Sequence, residues 1–382
     1  MHILIFILVI VALIVVHELG HFVVAKLSGM RVDEFGLGYP PRALTIAKIG
    51  ETEYTLNWLP FGGFVKIYGE DSSTSLDEVR GRELGVGGPD PRAFGARPRI
   101  LQVLVLVAGV AMNLLFAYVL ITGALFAGTP RALAPAEIPH ATHTALAISG
   151  VLPGSPAAAA GLAPGDVIVL ATDGSSAWNP ATPAGAPTQK SFTAFIAERG
   201  GRPVALTVRH NEQEEVRSVT PSLGVITNDP GRYALGVEVT TIGIVPLSLP
   251  QAALEGARLT WGATVLTAAG LWHFFYGIFT FHADLSQVSG PVGIAGVVGG
   301  ASAAGLGNLL AIMAIISINL ALINLIPIPA LDGGRLLFVL IEGVIRRPIN
   351  ASVARAMNGA SFALLVLLMV VVTVHDIYRI AG

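Results

Sequence analysis

His17, Glu18 and His21 are the residues of this chain whose types and spacing most directly imply chemistry. They form the run His17-Glu18-Leu19-Gly20-His21, inside the apolar stretch that opens the sequence. On a helix, side chains four apart share a face, so both imidazoles can reach one ion. Glu18 stands one step round, close enough to act on a water held by that ion without binding the ion itself. The H-E-x-x-H pattern supplies two neutral imidazoles as zinc ligands and a carboxylate as general base. Five residues make a weak pattern in an arbitrary soluble sequence, and the setting is what sharpens it. A charged side chain at the centre of a lipid-spanning helix costs roughly 2.5–3.5 kcal/mol on insertion scales. Three such groups at ligand spacing need a joint reason. A helix end merely wetted at the membrane interface is the weaker explanation.

The elements that must position these residues are apolar. The chain has 382 residues, of which 53% are hydrophobic and 13% charged, with a mean hydropathy of +0.69. Soluble domains carry about 25% charged residues, so much of this surface faces something other than water. The expected fold class is a polytopic α-helical membrane protein of about four transmembrane helices, with one sizeable soluble insertion. A net charge of −2 gives no electrostatic reason for a nucleic-acid partner. There is no cysteine, which excludes thiol catalysis, Cys-ligated metal and disulfides.

The first apolar run, Ile3–Val16, lacks a basic leader and a small-residue cleavage site, so it reads as a retained span rather than a signal peptide. Lys26 and Arg31 follow and assign that end to the cytoplasm. Residues 31–68 change character: Glu53-Tyr54-Thr55-Leu56-Asn57-Trp58 alternates as half-buried strands do, and Leu59-Pro60-Phe61-Gly62-Gly63-Phe64 reads as a turn. The stretch reads as a small cytoplasmic sheet or, more sharply, as a membrane-associated β-element dipping beside the active site, tolerable at that depth only where protein or water covers its backbone. Residues 69–99 read as a mobile cytoplasmic loop. Ile100–Phe126 is the second span, behind Arg92, Arg97 and Arg99. On it Gly109 and Asn113 mark a face packed against another helix, and Asn113 is also a candidate for a direct part in the site.

Residues 128–245 form the soluble insertion. Ile148-Ser149-Gly150-Val151-Leu152-Pro153-Gly154-Ser155-Pro156 leads into a short helix at Ala157–Ala160, and Gly161-Leu162-Ala163-Pro164-Gly165-Asp166 turns into the strand Val167–Leu170. With a helix at Ser191–Glu198 and strands at Val204–Val208 and Val216–Val219, this resembles the core of a PDZ domain. Ala177–Gln189 reads as a flexible excursion. A PDZ domain binds an extended chain by strand addition; here it would do that or act as a spacer. Residues 250–281 suggest an amphipathic helix on the membrane surface, Trp261 and Trp272 at the interface, with a full span as the alternative.

Leu306–Leu325, the third strong span, runs into Asn324-Leu325-Ile326-Pro327-Ile328-Pro329-Ala330-Leu331-Asp332-Gly333-Gly334. Two prolines break the helix there and leave Asp332 on irregular backbone at the end of an apolar run. Arg335, Arg346, Arg347 and Arg355 mark a cytoplasmic segment, and Gly359–Val374 is the last span. His17, His21 and Asp332 then lie on one side of the membrane. The expected organisation is a membrane core at 1–127, the insertion at 128–245, an interfacial linker at 246–305 and a second membrane core at 306–382.

These pieces, with Ser289-Gly290-Pro291-Val292-Gly293, together resemble the intramembrane site-2 proteases, peptidase family M50, of the bacterial regulator-of-sigma-E type. The resemblance implies a zinc endopeptidase that cuts within or near transmembrane segments, with His17, His21 and Asp332 as zinc ligands and Glu18 as catalytic base. It implies Asn319 and Asn324 near the substrate, with Pro327, Pro329, Gly62 and Gly63 as further substrate contacts and the 31–68 element as a clamp. Expected partners are lipid and single-span membrane proteins, such as anti-sigma factors or signal-peptide remnants, first trimmed by a site-1 protease. The expected place is the bacterial inner membrane, active site near the cytoplasmic side and PDZ domain in the periplasm. One departure is that the best-studied members of this type carry tandem PDZ domains and this chain has one. A catalytically silent PDZ adaptor would tolerate loss of His17, Glu18 or Asp332, all of which are intact. A transporter would show related halves, and the sequence shows none.

Overall fold

The computed structural model describes residues 2–70, 90–179, 189–210, 213–226, 229–245, 247–280, 290–347 and 349–381. Most of the 69–99 loop and of the Ala177–Gln189 excursion, together with Ser289, falls outside these residues. The chain divides into two compact units, one of Ala124–Ala252 and one of the segments to either side.

The larger unit begins with α1 (His2–Leu27), apolar apart from His2, the motif and Lys26 in its last turn. It ends in a Schellman cap: Gly29, at φ +70°, donates to Lys26 O at 3.0 Å and Met30 donates to Ala25 O at 2.9 Å. That turn delivers the chain into β1 (Val32–Ile49) and β2 (Thr52–Ile67), which pair antiparallel. The two long strands also fold back on themselves. Phe35 faces Val65 on one side and Tyr54 on the other, while Thr45 faces Thr55. The bends fall at Gly38 and Gly62, both at positive φ, where a side chain would be strained. α2 (Arg99–Phe126) follows. Ala25, Met30, Val32, Ile67 and Val105 form a buried cluster where these elements meet, joined by Val339 from near the end of the chain.

Among its described residues the second unit is an antiparallel sheet with two α-helices. Its strands are β3 (Arg131–Ala132), β4 (Thr142–Val151), β5 (Val167–Thr172), β6 (Ala177–Trp178), β7 (Val204–His210), β8 (Gln213–Val219) and β9 (Val237–Ile244). They run in the order β3-β9-β4-β5-β7-β8, with β6 paired to β5. A short α3 (Pro156–Ala159) starts on Ser155, whose hydroxyl accepts from Ala158 N–H. α4 (Gln189–Ala197) buries Phe192 and Ile196 into one continuous core with Leu146, Ile148, Ile168 and Leu206. These side chains leave water together and form one buried apolar cluster.

Among the described residues five more helices follow: α5 (Leu249–Phe279), α6 (Pro291–Ala303), α7 (Leu306–Leu325), α8 (Asp332–Ile345) and α9 (Ala351–Ala381). Among the described residues four stretches are long and apolar enough to cross a membrane: Ile3–Leu27, Arg99–Phe126, Leu306–Leu325 and Ser352–Tyr378. α5 is as long but not among them, and it leaves Trp261 and Trp272 exposed. α9 exposes Phe362, Leu364 and Leu367, side chains that lipid covers and water does not. The chain is a multi-pass membrane protein. Lipid gives little hydrophobic drive between helices, so close approach of small residues matters more. Gly20 of α1 provides it: a Cβ there would run into the Ala108 carbonyl and Met112 of α2.

Candidate active site

α1 sets His17 and His21 one turn apart, their ring centroids 4.9 Å from one another and the rings edge to face. The third donor arrives from far along the sequence. α7 stops at Leu325, the chain turns through Pro327 and Pro329, which cannot donate backbone N–H, and α8 begins at Asp332. Gly333 and Gly334 make the turn this tight. A Cβ on either would strike backbone atoms of Leu325, Ile326 or Ile328.

Asp332 Oδ2 lies 3.0 Å from His17 Nε2 and 3.2 Å from His21 Nε2, and the two Nε2 atoms are 3.3 Å apart. Tetrahedral zinc with bonds of about 2.0–2.1 Å spaces its ligands about 3.3 Å apart. The triangle therefore has the size of one tetrahedral face, and His, His and carboxylate are a donor set suited to zinc. Among the described residues no other cluster of three His, Asp or Glu donors occurs.

The imidazoles are backed by one stripe of α2. His21 Nδ1 lies 2.8 Å from Val105 O and donates to it, which leaves the Nε2 lone pair aimed into the triangle. His17 Nδ1 lies 3.1 Å from the Asn113 side chain. Between these contacts sits Gly109, where a Cβ would collide with His21 Nε2 and stand 2.8 Å from His17 Cε1. Gly109 and Asn113, expected to face another helix, face α1 through its two imidazoles. Val105 carried no signal in the sequence, because its contact is a backbone carbonyl.

A cavity of about 720 Å³ opens beside the triangle, and Glu18 lines it. The Glu18 carboxylate makes no hydrogen bond among the described residues, so it is available to a molecule entering. Across from it is Gly63 of β2: a Cβ there would lie 2.8 Å from Ile14 Cγ2 and 3.1 Å from Glu18 Cγ. Gly62, Asn324 and Pro329 line the cavity too, and Asn324 Nδ2 reaches to 3.3 Å from His17 Nε2. Asn319 and Pro327, expected nearby, are not in the lining. Five residues on a helix turn about 500°, so Asn319 and Asn324 point roughly 140° apart. The sequence reading missed Tyr39, Asn358 and Phe362 in the wall, and an ion pair of 2.8 Å from Arg335 to Glu70. These residues carry no ligand spacing, and only the fold brings them here.

The second unit has a groove of its own, about 560 Å³, between Phe192 and Ile196 of α4 and the stretch Tyr233–Val239.

Comparison with known proteins agrees with this geometry. The model of Peptidase family M50 matches residues 5–368. A Clostridium perfringens protein provisionally named a zinc metalloprotease is 35% identical over 367 residues, covering 96% of this chain and 95% of its own length. The zinc metalloprotease RasP of Geobacillus kaustophilus is 30% identical over 436 residues, covering 98% and 97% respectively. The chain belongs to peptidase family M50.

Proposed function

We propose that this protein is a zinc endopeptidase that hydrolyses peptide bonds within or beside the transmembrane segments of other membrane proteins. One observation carries the reading. Two donors from a membrane-spanning helix and one from a broken helix converge at zinc-ligand spacing, with a carboxylate beside them on a cavity. His17, His21 and Asp332 hold the metal. Zinc bound there supplies a lowered pKa for water, to about 7, and polarises a carbonyl.

Glu18 accepts the proton of the attacking water and returns it to the leaving amine. Asn324 turns its amide toward the same place and donates to the substrate oxygen as charge builds on it. Gly62, Gly63 and Pro329 leave room for the substrate backbone. A transmembrane helix shields its peptide bonds with its own hydrogen bonds and must unwind before attack. The Gly63–Ile67 stretch of β2, which lines the cavity, replaces those bonds by pairing with the unwound segment.

The substrates fitting this arrangement are single-span proteins of a bacterial inner membrane, anti-sigma factors or signal-peptide remnants among them. The active site faces the cytoplasmic side, and the 124–252 unit, read as a single PDZ domain, lies outside. There it admits substrates already trimmed by another protease and excludes those with a bulky outer domain. The groove beside α4 would also suit a catalytically silent adaptor, but such a protein has no use for the donor triangle.

The deciding experiment is Glu18→Gln in purified protein with a single-span substrate. Zinc stays bound at wild-type stoichiometry and cleavage falls by about 10²- to 10⁴-fold; wild-type turnover would remove Glu18 from the mechanism. Deleting residues 135–240 lets untrimmed substrates be cut, and if trimming is still required the filter lies elsewhere.

A further inference from the structure

The two ligand histidines are not held alike. His21 has a backbone acceptor behind it, the Val105 carbonyl, and that bond fixes which nitrogen carries the proton. His17 has the Asn113 side chain instead, 3.1 Å from Nδ1 with the amide nitrogen as the nearer end. Asn113 is 0% exposed, and with that end forward its Oδ1 is buried without a hydrogen-bond donor among the described residues. A donating amide nitrogen also needs a lone pair on Nδ1. The ring proton would then sit on Nε2, in the middle of the Asp332 and His21 donors, where a cation has to go.

The two ends of a carboxamide have one shape, and the surrounding hydrogen bonds decide between them. Turning the amide by half a rotation brings oxygen to Nδ1, which then holds the proton. The Nε2 lone pair is released toward the triangle. We infer that Asn113 is a positioning residue: its amide oxygen accepts from His17 Nδ1–H and fixes the tautomer in which His17 can ligate zinc. Val105, Gly109 and Asn113, spaced four apart on α2, then act as one cradle with an acceptor at each end and a gap between. The inference rests on the zinc reading of the triangle and names what enforces it.

The test compares wild type, Asn113→Leu and Asn113→Asp as full-length chains in detergent. A graded chelator series measures how tightly each holds zinc, and thermal melts of the zinc-stripped forms report the fold. Loss of the acceptor in Asn113→Leu weakens zinc by about 10–100-fold, with a stripped form that melts as the wild type's does. Asn113→Asp, which can only accept, holds zinc at least as tightly as wild type. The role of Asn113 is overturned if Asn113→Leu keeps wild-type affinity. It is overturned equally if Asn113→Asp loses tenfold or more with an undisturbed melt, because the amide would then be donating. Should Asn113→Leu not fold, the aspartate arm decides by itself. Wild-type protein that holds no zinc overturns the site, and this inference with it.

Discussion

On one side of the Glu18 cavity, α1, α2 and the start of α8 close on the imidazoles with no room for a methyl group at Gly20, Gly109, Gly333 or Gly334. On the other, β1 and β2 present Gly62 and Gly63 and then run outward to Leu44, Ile46 and Trp58, all exposed. The helical wall holds three atoms within 3.3 Å of one another. The strand wall bends twice, and a Cβ on its Gly63 would meet Ile14 and Glu18. A wall that positions a cation must be tight, because donor distances set the affinity. A wall that receives a peptide needs an accessible backbone edge. The difference between them predicts that damage on the helical side releases metal and damage on the strand side does not.

The largest effect is expected on the helical side. Asp332→Ala or His17→Ala removes one of three donors, so zinc falls to background by elemental analysis and cleavage disappears with it. Gly109→Ala, which touches no ligand by sequence, gives the same result through its collision with both rings. Next is Glu18→Gln, in the cavity but outside the triangle. Cleavage drops by the 10²- to 10⁴-fold typical of a lost proton-transfer group, and bound zinc does not change. On the strand side, Gly63→Ala pushes the Glu18 stem by a few tenths of an ångström. Since a displacement of about 1 Å can cost 10²-fold, a drop of roughly tenfold in turnover at full zinc occupancy is expected. Zinc loss in that variant would break the comparison. The smallest effect belongs to Trp58→Ala: this side chain is 71% exposed and does not line the cavity. Surface changes of this sort stay within about 0.5 kcal/mol, so zinc content and the thermal melt should match wild type.

How much of this was legible beforehand follows from what a sequence can encode locally. The spacing of His17 and His21 is a helical repeat, and a helix keeps that repeat wherever it is placed. Asp332 was recoverable because two prolines announce a broken helix, and because its surroundings resemble a known family. The alternating run from Glu53 gave strands, yet not the way Phe35 acquires partners on both sides, which depends on pairing across bends. Gly109 and Asn113 were read as a packing face, and packing is what they do. That the packed objects are imidazoles depends on the crossing of two helices, for which no local pattern exists. Asn319 and Asn324 looked equivalent on paper and diverge because a helix rotates them onto different faces.

The triangle has one more consequence, which concerns supply. Its donors come from residues 17 and 332, 315 positions apart, so a bound ion stitches α1 to α8. Whatever occupies that seam only in the assembled form adds RT ln(1 + [L]/Kd) to assembly, about 2.7 kcal/mol at a hundredfold excess over Kd. A cell short of zinc would thus lose more than turnover. It would hold a slacker membrane core, more open to the quality-control proteases around it, and the abundance of this enzyme would track the metal it works with.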